Sequence, residues 1–200
     1  MPKIVDFDGR RREIADKAMP VFAKEGFHDA NLSKIAELCG FGRTTIYKYF
    51  KSKDDIFAYV LEGIFERLDA EAATILGDDS SDAVAKLSAL MGSMVRDSRD
   101  DRNRMLILID LILRLRREEI SVASGVRERL ATLEAYFERV LAAGMASGEL
   151  RQCDPAALAA AIFSLVESFV LQYALSDTFS YAEAMKAADH LLRGLEARGA

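Results

Sequence analysis

The chain has 200 residues, half of them hydrophobic and only three of them proline, which is ample for a sizeable core and argues against extended disorder. Two cysteines, Cys39 and Cys153, and two histidines, His28 and His190, leave little material for a disulfide framework, a metal-ligand set or a catalytic triad, so most enzyme classes are disfavoured and no metal or cofactor is expected. The net charge of −5 hides an asymmetry: residues 1–53 hold 11 Lys+Arg against 7 Asp+Glu, and the remainder holds 16 against 25, a basic end on an acidic body that fits either polyanion binding or a chance fluctuation of surface charge.

Taken in chain order, the apolar spacing is helical almost throughout and no segment sustains strand-like alternation. Ile14, Ala15, Ala18 and Phe22 form one stripe of a first helix, which Pro20 should kink and Gly26 should stop. A short second helix runs from Leu32 to Cys39 behind an Asn31 cap, and a third from about Arg43 to Phe50. The fourth starts near Lys53 and repeats Ile56, Phe57, Val60, Leu61, Ile64, Phe65 and Leu68. After a break at Gly77 with Ser80 or Ser81 as the next cap, helices follow over about 82–97 and 102–117. Ser121 to Gly125 fits a loop or a helix start, and Val126, Leu130, Leu133, Phe137 and Val140 then mark a packed helix ending near Gly148. Pro155 opens a helix to about Leu175, and a last one covers about 180–197. The expected fold is all-α, with about nine helices.

The informative stretch is Asn31 to Phe50. Two helices that cross steeply need a small residue at the crossing, a turn residue tolerant of positive φ, and an apolar anchor on the second helix. Ala36, Gly40 and Ile46 meet these needs at relative positions 0, +4 and +10, with Leu32, Ile35 and Phe50 closing a core with Phe22 and Phe27. Arg43, Thr44, Thr45, Tyr47, Lys48 and Tyr49 then face outward. Their chemistry suits a major groove: Arg or Lys on guanine, Thr on a thymine methyl, Tyr or Lys on phosphate. Backbone amides near Ser33, Lys34 and Lys53 add phosphate partners. An ordinary helical hairpin with a solvated polar face is the alternative.

Here the sequence resembles the TetR (tetracycline-repressor-like) family of bacterial transcriptional regulators. The resemblance rests on Val21-Phe-Ala-Lys-Glu-Gly-Phe27, Ile35-Ala-Glu-Leu-Cys-Gly40 and Thr45-Ile-Tyr-Lys-Tyr-Phe-Lys-Ser-Lys-Asp-Asp-Ile56, and beyond them on helix order and the segment Gly144-Met-Ala-Ser-Gly-Glu-Leu150. It implies a homodimer with a helix-turn-helix DNA-binding domain over 1–52 and a helical effector-binding and dimerisation domain over 53–200. It also implies DNA contact by Ser33, Lys34, Arg43, Thr44, Thr45, Tyr47, Lys48, Tyr49 and Lys53. The chain departs from the family pattern at Gly42, where a serine cap is common, at Thr44, where glycine is common, and at Pro20.

In the body, Ala156 to Leu175 is apolar around most of its circumference and needs burial on two sides, by its own domain and a symmetric partner or by a monomer core alone. The resemblance implies a dimer interface from this helix and the last one, expected at Leu165, Phe169, Gln172, Ala188, Leu192 and Leu195. Phe65, Met91, Met94, Met105, Ile109, Phe137, Phe163 and Glu167 are candidate effector contacts, although Met and aromatic stripes equally suit plain core. Asp110 and Glu167 are acids in apolar runs and fit an effector contact, a solvent edge or a pairing with arginine. His28 reads as a turn residue and His190 as the polar side of the last helix.

The leading reading is therefore a dimeric regulator, a repressor released from palindromic operator DNA by a small-molecule effector, with no catalytic residues. An enzyme would need a nucleophile–base pair, and none is recognisable; a helical adaptor would dimerise without binding DNA. The N-terminus lacks an export pattern and Glu167 interrupts the longest apolar run, so a reduced cytoplasm without membrane contact is expected.

Overall fold

The computed structural model describes residues 6–100 and 121–197. Among them are eight helices: α1 (Phe7–Asp29), α2 (Leu32–Leu38), α3 (Arg43–Ile46), α4 (Lys53–Leu76), α5 (Ala83–Asp100), α6 (Ser121–Ser147), α7 (Pro155–Leu175) and α8 (Tyr181–Arg193). The only β-type pairing among the described residues is an isolated bridge, Leu150 with Glu196. The all-α expectation holds; the helix expected over 102–117, with Met105, Ile109 and Asp110, lies outside the described residues. The chain packs as two compact units that divide within α4, between Ile64 and Phe65. The 52/53 boundary expected from sequence marks the start of α4.

In the first unit, Asp6 caps α1 by accepting the Gly9 N–H at 2.8 Å, and Ile14, Ala15, Ala18 and Phe22 are all buried. The interruption of α1 falls at Gly26 (φ 74°, ψ 156°) and not at Pro20. That backbone region is open essentially to glycine alone, whereas Pro20 is exposed and loses its hydrogen bond on the solvent side. Helical pairing then resumes to Asp29. At α4, Ser52 Oγ accepts the Asp55 N–H at 3.1 Å and the Asp55 carboxylate accepts the Lys51 N–H at 2.9 Å, a reciprocal cap that starts the helix. Ile56, Phe57 and Leu61 are buried on its inner face, with the Phe57 ring 5.1 Å from Phe27 and 6.4 Å from Phe22.

In the second unit, α5 packs against α6, α7 and α8, and α6 packs against α7. Leu87, Leu90, Met91, Phe137, Leu141 and Leu150 are among its most buried side chains. The α5 cap is Asp82, which accepts the Ala85 N–H at 2.7 Å. The expected serines serve Asp78 instead: both Ser80 Oγ and Ser81 Oγ donate to its carboxylate at 2.6 Å, holding it down at about pKa 2. The segment after α6 is built residue by residue. Gly144 lets α5 approach, since a Cβ there would lie 2.7 Å from Ala83 Cβ. Gly148 takes φ 83°, Glu149 accepts the Ala83 N–H at 2.8 Å, and Leu150 enters the core.

Asp154 caps α7 through the Ala156 and Ala157 amides, with Pro155 in the first turn as expected. By length and composition α7 is long and apolar enough to cross a membrane, contrary to expectation. Ala159, Ile162, Phe163, Val166 and Ala174 are its buried residues, and most of its apolar length is not buried. α8 stops at Arg193, short of the expected 197, because the chain turns to pair with the segment after α6. Arg151 N–H donates to the Leu195 carbonyl and Ala197 N–H to the Glu149 carbonyl, each at 2.9 Å.

Candidate nucleic-acid interface

The end of α2 sets the geometry. Phe41 N–H reaches back to the Ala36 carbonyl at 2.8 Å and Gly40 N–H to Glu37 at 2.9 Å, with Gly40 at φ 69°. This is the paired closure of a Schellman turn, a six-residue outer loop around a four-residue inner one, which needs a left-handed residue at that position. No neighbour lies within 4 Å of a Cβ built on Gly40, so the constraint there is conformational rather than steric. Ala36 and Ile46 are 1% and 0% exposed; the crossing residue and the anchor both occupy the interior.

α3 is shorter than the expected Arg43–Phe50. It is helical over Arg43–Ile46, and the chain then tightens, with Lys48 N–H on Thr45 C=O and Tyr49 N–H on Ile46 C=O at 3.1 and 3.0 Å. Two causes act. Gly42 provides no side-chain cap, and Phe50, 2% exposed, is drawn into the core. Three-residue bonds of this kind close a helix end without extending it.

Arg43, Thr44, Tyr47 and Lys48 are exposed, and their side chains make no hydrogen bond or ion pair with any described residue. Thr45 is half-buried beside them and Ser33 is exposed on α2. Lys34 is exposed and forms an ion pair with Glu25 of α1. Two expected contacts are differently employed. Tyr49 is half-buried, its ring 5.0 Å from Phe7 and 6.2 Å from Phe41, because the tightened turn rotates it toward the start of α1. Lys53 donates Nζ to the Ala30 carbonyl at 3.1 Å and lies over the Phe27 ring, tying the start of α4 to the loop before α2.

Sequence reasoning overlooked Arg11. Its guanidinium carbon sits 4.9 Å from the Phe50 ring centre and 4.4 Å from that of Tyr59. The available signal was register: position 11 continues the stripe of Ile14, Ala15, Ala18 and Phe22 back by one turn.

Of the expected effector residues, Phe65, Met91, Met94, Phe137 and Phe163 are buried, with Phe137 and Phe163 rings 6.3 Å apart; Met105 and Ile109 lie outside the described residues. Glu167 is exposed on α7, and its carboxyl is raised first by partial loss of solvation and then by Glu134. A cleft of ≈ 540 Å³ opens between the end of α4, the start of α5 and the end of α6, lined by Leu76, Ser81, Lys86, Arg139 and Gly144 among others; none of the expected effector residues that are described lines it.

Among the expected interface residues, Leu165, Phe169 and Leu195 are half-buried and Gln172 is exposed. Ala188 and Leu192 are corrected: at 1% and 3% exposure they belong to the chain's own core, because that side of α8 faces α5. On α7 and α8 the large apolar side chains left in solvent are Leu171, Leu175 and Leu191.

Residues 14–60 match the family model described as bacterial regulatory proteins, tetR family, and residues 80–176 match that of the tetracyclin repressor-like C-terminal domain. An HTH-type transcriptional repressor of Mycobacterium tuberculosis is 30% identical over 191 residues, covering 85% of this chain and 98% of the relative. The fatty acid metabolism regulator protein of Bacillus subtilis is 26% identical over 170 residues, 82% and 84% of the two chains. Among solved structures, the transcriptional regulator FadR of Bacillus subtilis in complex with stearoyl-CoA superimposes with a TM-score of 0.74 at 24% identity, over 90% of this chain and 96% of that one.

Proposed function

The chain belongs to the tetR family of bacterial regulatory proteins, and from that premise we propose that it is a homodimeric repressor, held on a palindromic operator and released by a small apolar effector. It is a DNA-binding transcriptional regulator, as its relatives are. The observation that carries the finer reading is the face of Arg43, Thr44, Tyr47 and Lys48. These side chains have no employment among the described residues of the fold, and the backbone behind them is held by Ala36, Gly40 and Ile46.

On duplex DNA, Arg43 offers a bidentate donor pair to a guanine edge, and Thr44 and Thr45 offer methyls to thymine. Tyr47, Lys48, Ser33 and Lys34 reach phosphates and fix register. Tyr49 and Lys53 contribute from behind this face. Two such faces about 34 Å apart, or a multiple, read the halves of a palindrome. Leu171, Leu175 and Leu191 are the apolar surface for a two-fold partner. A cytoplasmic setting accords with two free cysteines.

The effector acts to the extent that it binds the released state more tightly than the DNA-bound one. An acyl-chain compound is the class we favour, on the name of the Bacillus subtilis relative and on the apolar wall of Met91, Met94, Phe137 and Phe163.

The test is fluorescence anisotropy with duplex DNA enriched from a random library by the wild-type protein. Lys48→Ala and Tyr47→Ala each weaken binding and lower the slope of log affinity against log salt by about one for a lost phosphate contact. Unchanged affinity and slope in both variants sink the assignment of this face. Adding stearoyl-CoA lowers the anisotropy if the acyl class is right, and leaves it constant if not.

A further inference from the structure

The geometry points to Arg11 as a positioning residue for the operator-reading face. This rests on the DNA-reading assignment above and adds a residue to it that reaches no base. The guanidinium lies over two rings at once, Phe50 at 4.9 Å and Tyr59 at 4.4 Å, and those rings meet edge-on at 5.6 Å. Arg11 Nε is shielded from solvent and has no hydrogen-bond partner among the described residues. Ring faces, rather than a carboxylate, hold the side chain. A planar, weakly hydrated guanidinium suits such a place, and an ammonium covers two rings poorly.

The consequence lies in what the two rings are attached to. Phe50 ends the turn that begins at Ile46, directly after Tyr47, Lys48 and Tyr49, and Tyr59 stands on α4 about two turns beyond its Ser52 cap. α3 has four helical residues and no side-chain cap, so it cannot hold its own direction; isolated helices need far greater length. It is instead gripped on both flanks by the first turns of α1. Before α3, Arg10 lies over Phe41 at 5.7 Å; after it, Phe7 lies against Tyr49 at 5.0 Å and Arg11 over Phe50 at 4.9 Å. Removing Arg11 therefore lets the reading face lose its angle while the Ala36–Ile46 crossing stays intact.

The experiment is a double-mutant cycle on the full-length protein, using the library-enriched duplex and checking helicity by circular dichroism. Arg11→Met weakens binding about ten-fold with the salt slope unchanged, because no phosphate contact is lost. Arg11→Lys keeps the charge and recovers little of the affinity. Arg43→Ala weakens binding about thirty-fold in the wild-type background and less than about three-fold alongside Arg11→Met, since a misdirected face no longer delivers Arg43 to its base. Equal costs of Arg43→Ala in both backgrounds overturn the proposal, as does a slope reduced by about one in Arg11→Met, which would make Arg11 a phosphate contact. If Arg11→Met does not fold, Tyr59→Leu removes the second ring and is read against the same cycle. A wild-type protein that enriches no duplex at all defeats the DNA-reading assignment itself, an outcome separate from additive costs.

Discussion

The Glu149 carboxylate accepts the Ala83 backbone N–H at 2.8 Å across 66 residues of chain. The first amide of α5 is thus capped by a side chain from the segment just after α6, while Asp82 caps the third. An anionic acceptor at a helix N-terminus also complements the partial positive charge there. Ser147 Oγ donates to the other carboxylate oxygen at 2.9 Å, which holds the acid in place. Glu149→Ala is expected to cost about 1–2 kcal/mol, a fall of roughly 2–8 °C in Tm for a chain of this size, with Glu149→Gln costing less. Thermal denaturation followed at 222 nm reads both; an unchanged Tm in Glu149→Ala would remove the cap from the account.

Gly144→Ala should destabilise the fold even though alanine is the better helix former. Its Cβ would stand 2.7 Å from Ala83 Cβ and 2.8 Å from Leu150 Cδ1, so α5 and α6 must separate. Overpacking of this kind costs about 1–3 kcal/mol, against a propensity gain of about 1 kcal/mol. Gly125 is the internal control: it is exposed on the same helix with nothing within 4 Å of a built Cβ. Urea denaturation should therefore move the midpoint down for Gly144→Ala and up or not at all for Gly125→Ala.

Leu191 and Leu192 are neighbours with opposite expected effects. Leu191 is 65% exposed and Leu192 3%. Leu191→Glu combined with Leu175→Glu should convert the proposed dimer to monomer in sedimentation velocity without a large change in helicity. Leu192→Ala should leave the oligomeric state intact at low temperature and cost about 2–5 kcal/mol of stability through a core cavity. A monomeric Leu192→Ala with unchanged Tm would reverse the two assignments.

Two carboxyls give pH effects of opposite sign. Asp78 is depressed from 3.8 to about 2 by Ser80 and Ser81, so its contribution is complete above pH 3.8 and is lost as pH falls toward 2. Glu167 is raised above 4.5 by loss of solvation and by Glu134. The folded state then holds its proton more tightly, and the resulting penalty is present at neutral pH and relieved as pH falls through the raised value to 4.5. Glu167→Gln should accordingly raise Tm at pH 7 and lose that advantage near pH 4. A gain independent of pH would mean that ionisation of Glu167 is not the cause.

How much of this could be read in advance depended on how local each requirement was. The helix-turn-helix was legible because Ala36, Gly40 and Ile46 each answer one demand within eleven positions. The repeated family stretch Lys51-Ser-Lys-Asp-Asp55 turned out to hold a cap, Ser52 with Asp55, as well as charge. The length of α3 was not legible, since it ends where Phe50 is buried by residues of α1 and α4. The α5 cap was misassigned to serine because neither the pull of Asp78 on Ser80 and Ser81 nor the reach of Glu149 shows in the window around residue 80. For α8, amphipathic spacing marked Ala188 and Leu192 as buried but not by what; α5 covers them, and a partner was expected.

The four exposed residues of the reading face are spectators in the folding of the chain. Arg43, Thr44, Tyr47 and Lys48 contact no described residue by hydrogen bond or ion pair, while the angle of the face is set by Ala36, Gly40, Ile46 and the rings around Arg11. Their identities can therefore drift with little penalty to the scaffold, and on the DNA-reading role proposed for them a new operator preference is reachable by exchange at these positions alone. Adaptation to a different promoter and survival of the fold are, in this architecture, separate problems solved by separate residues.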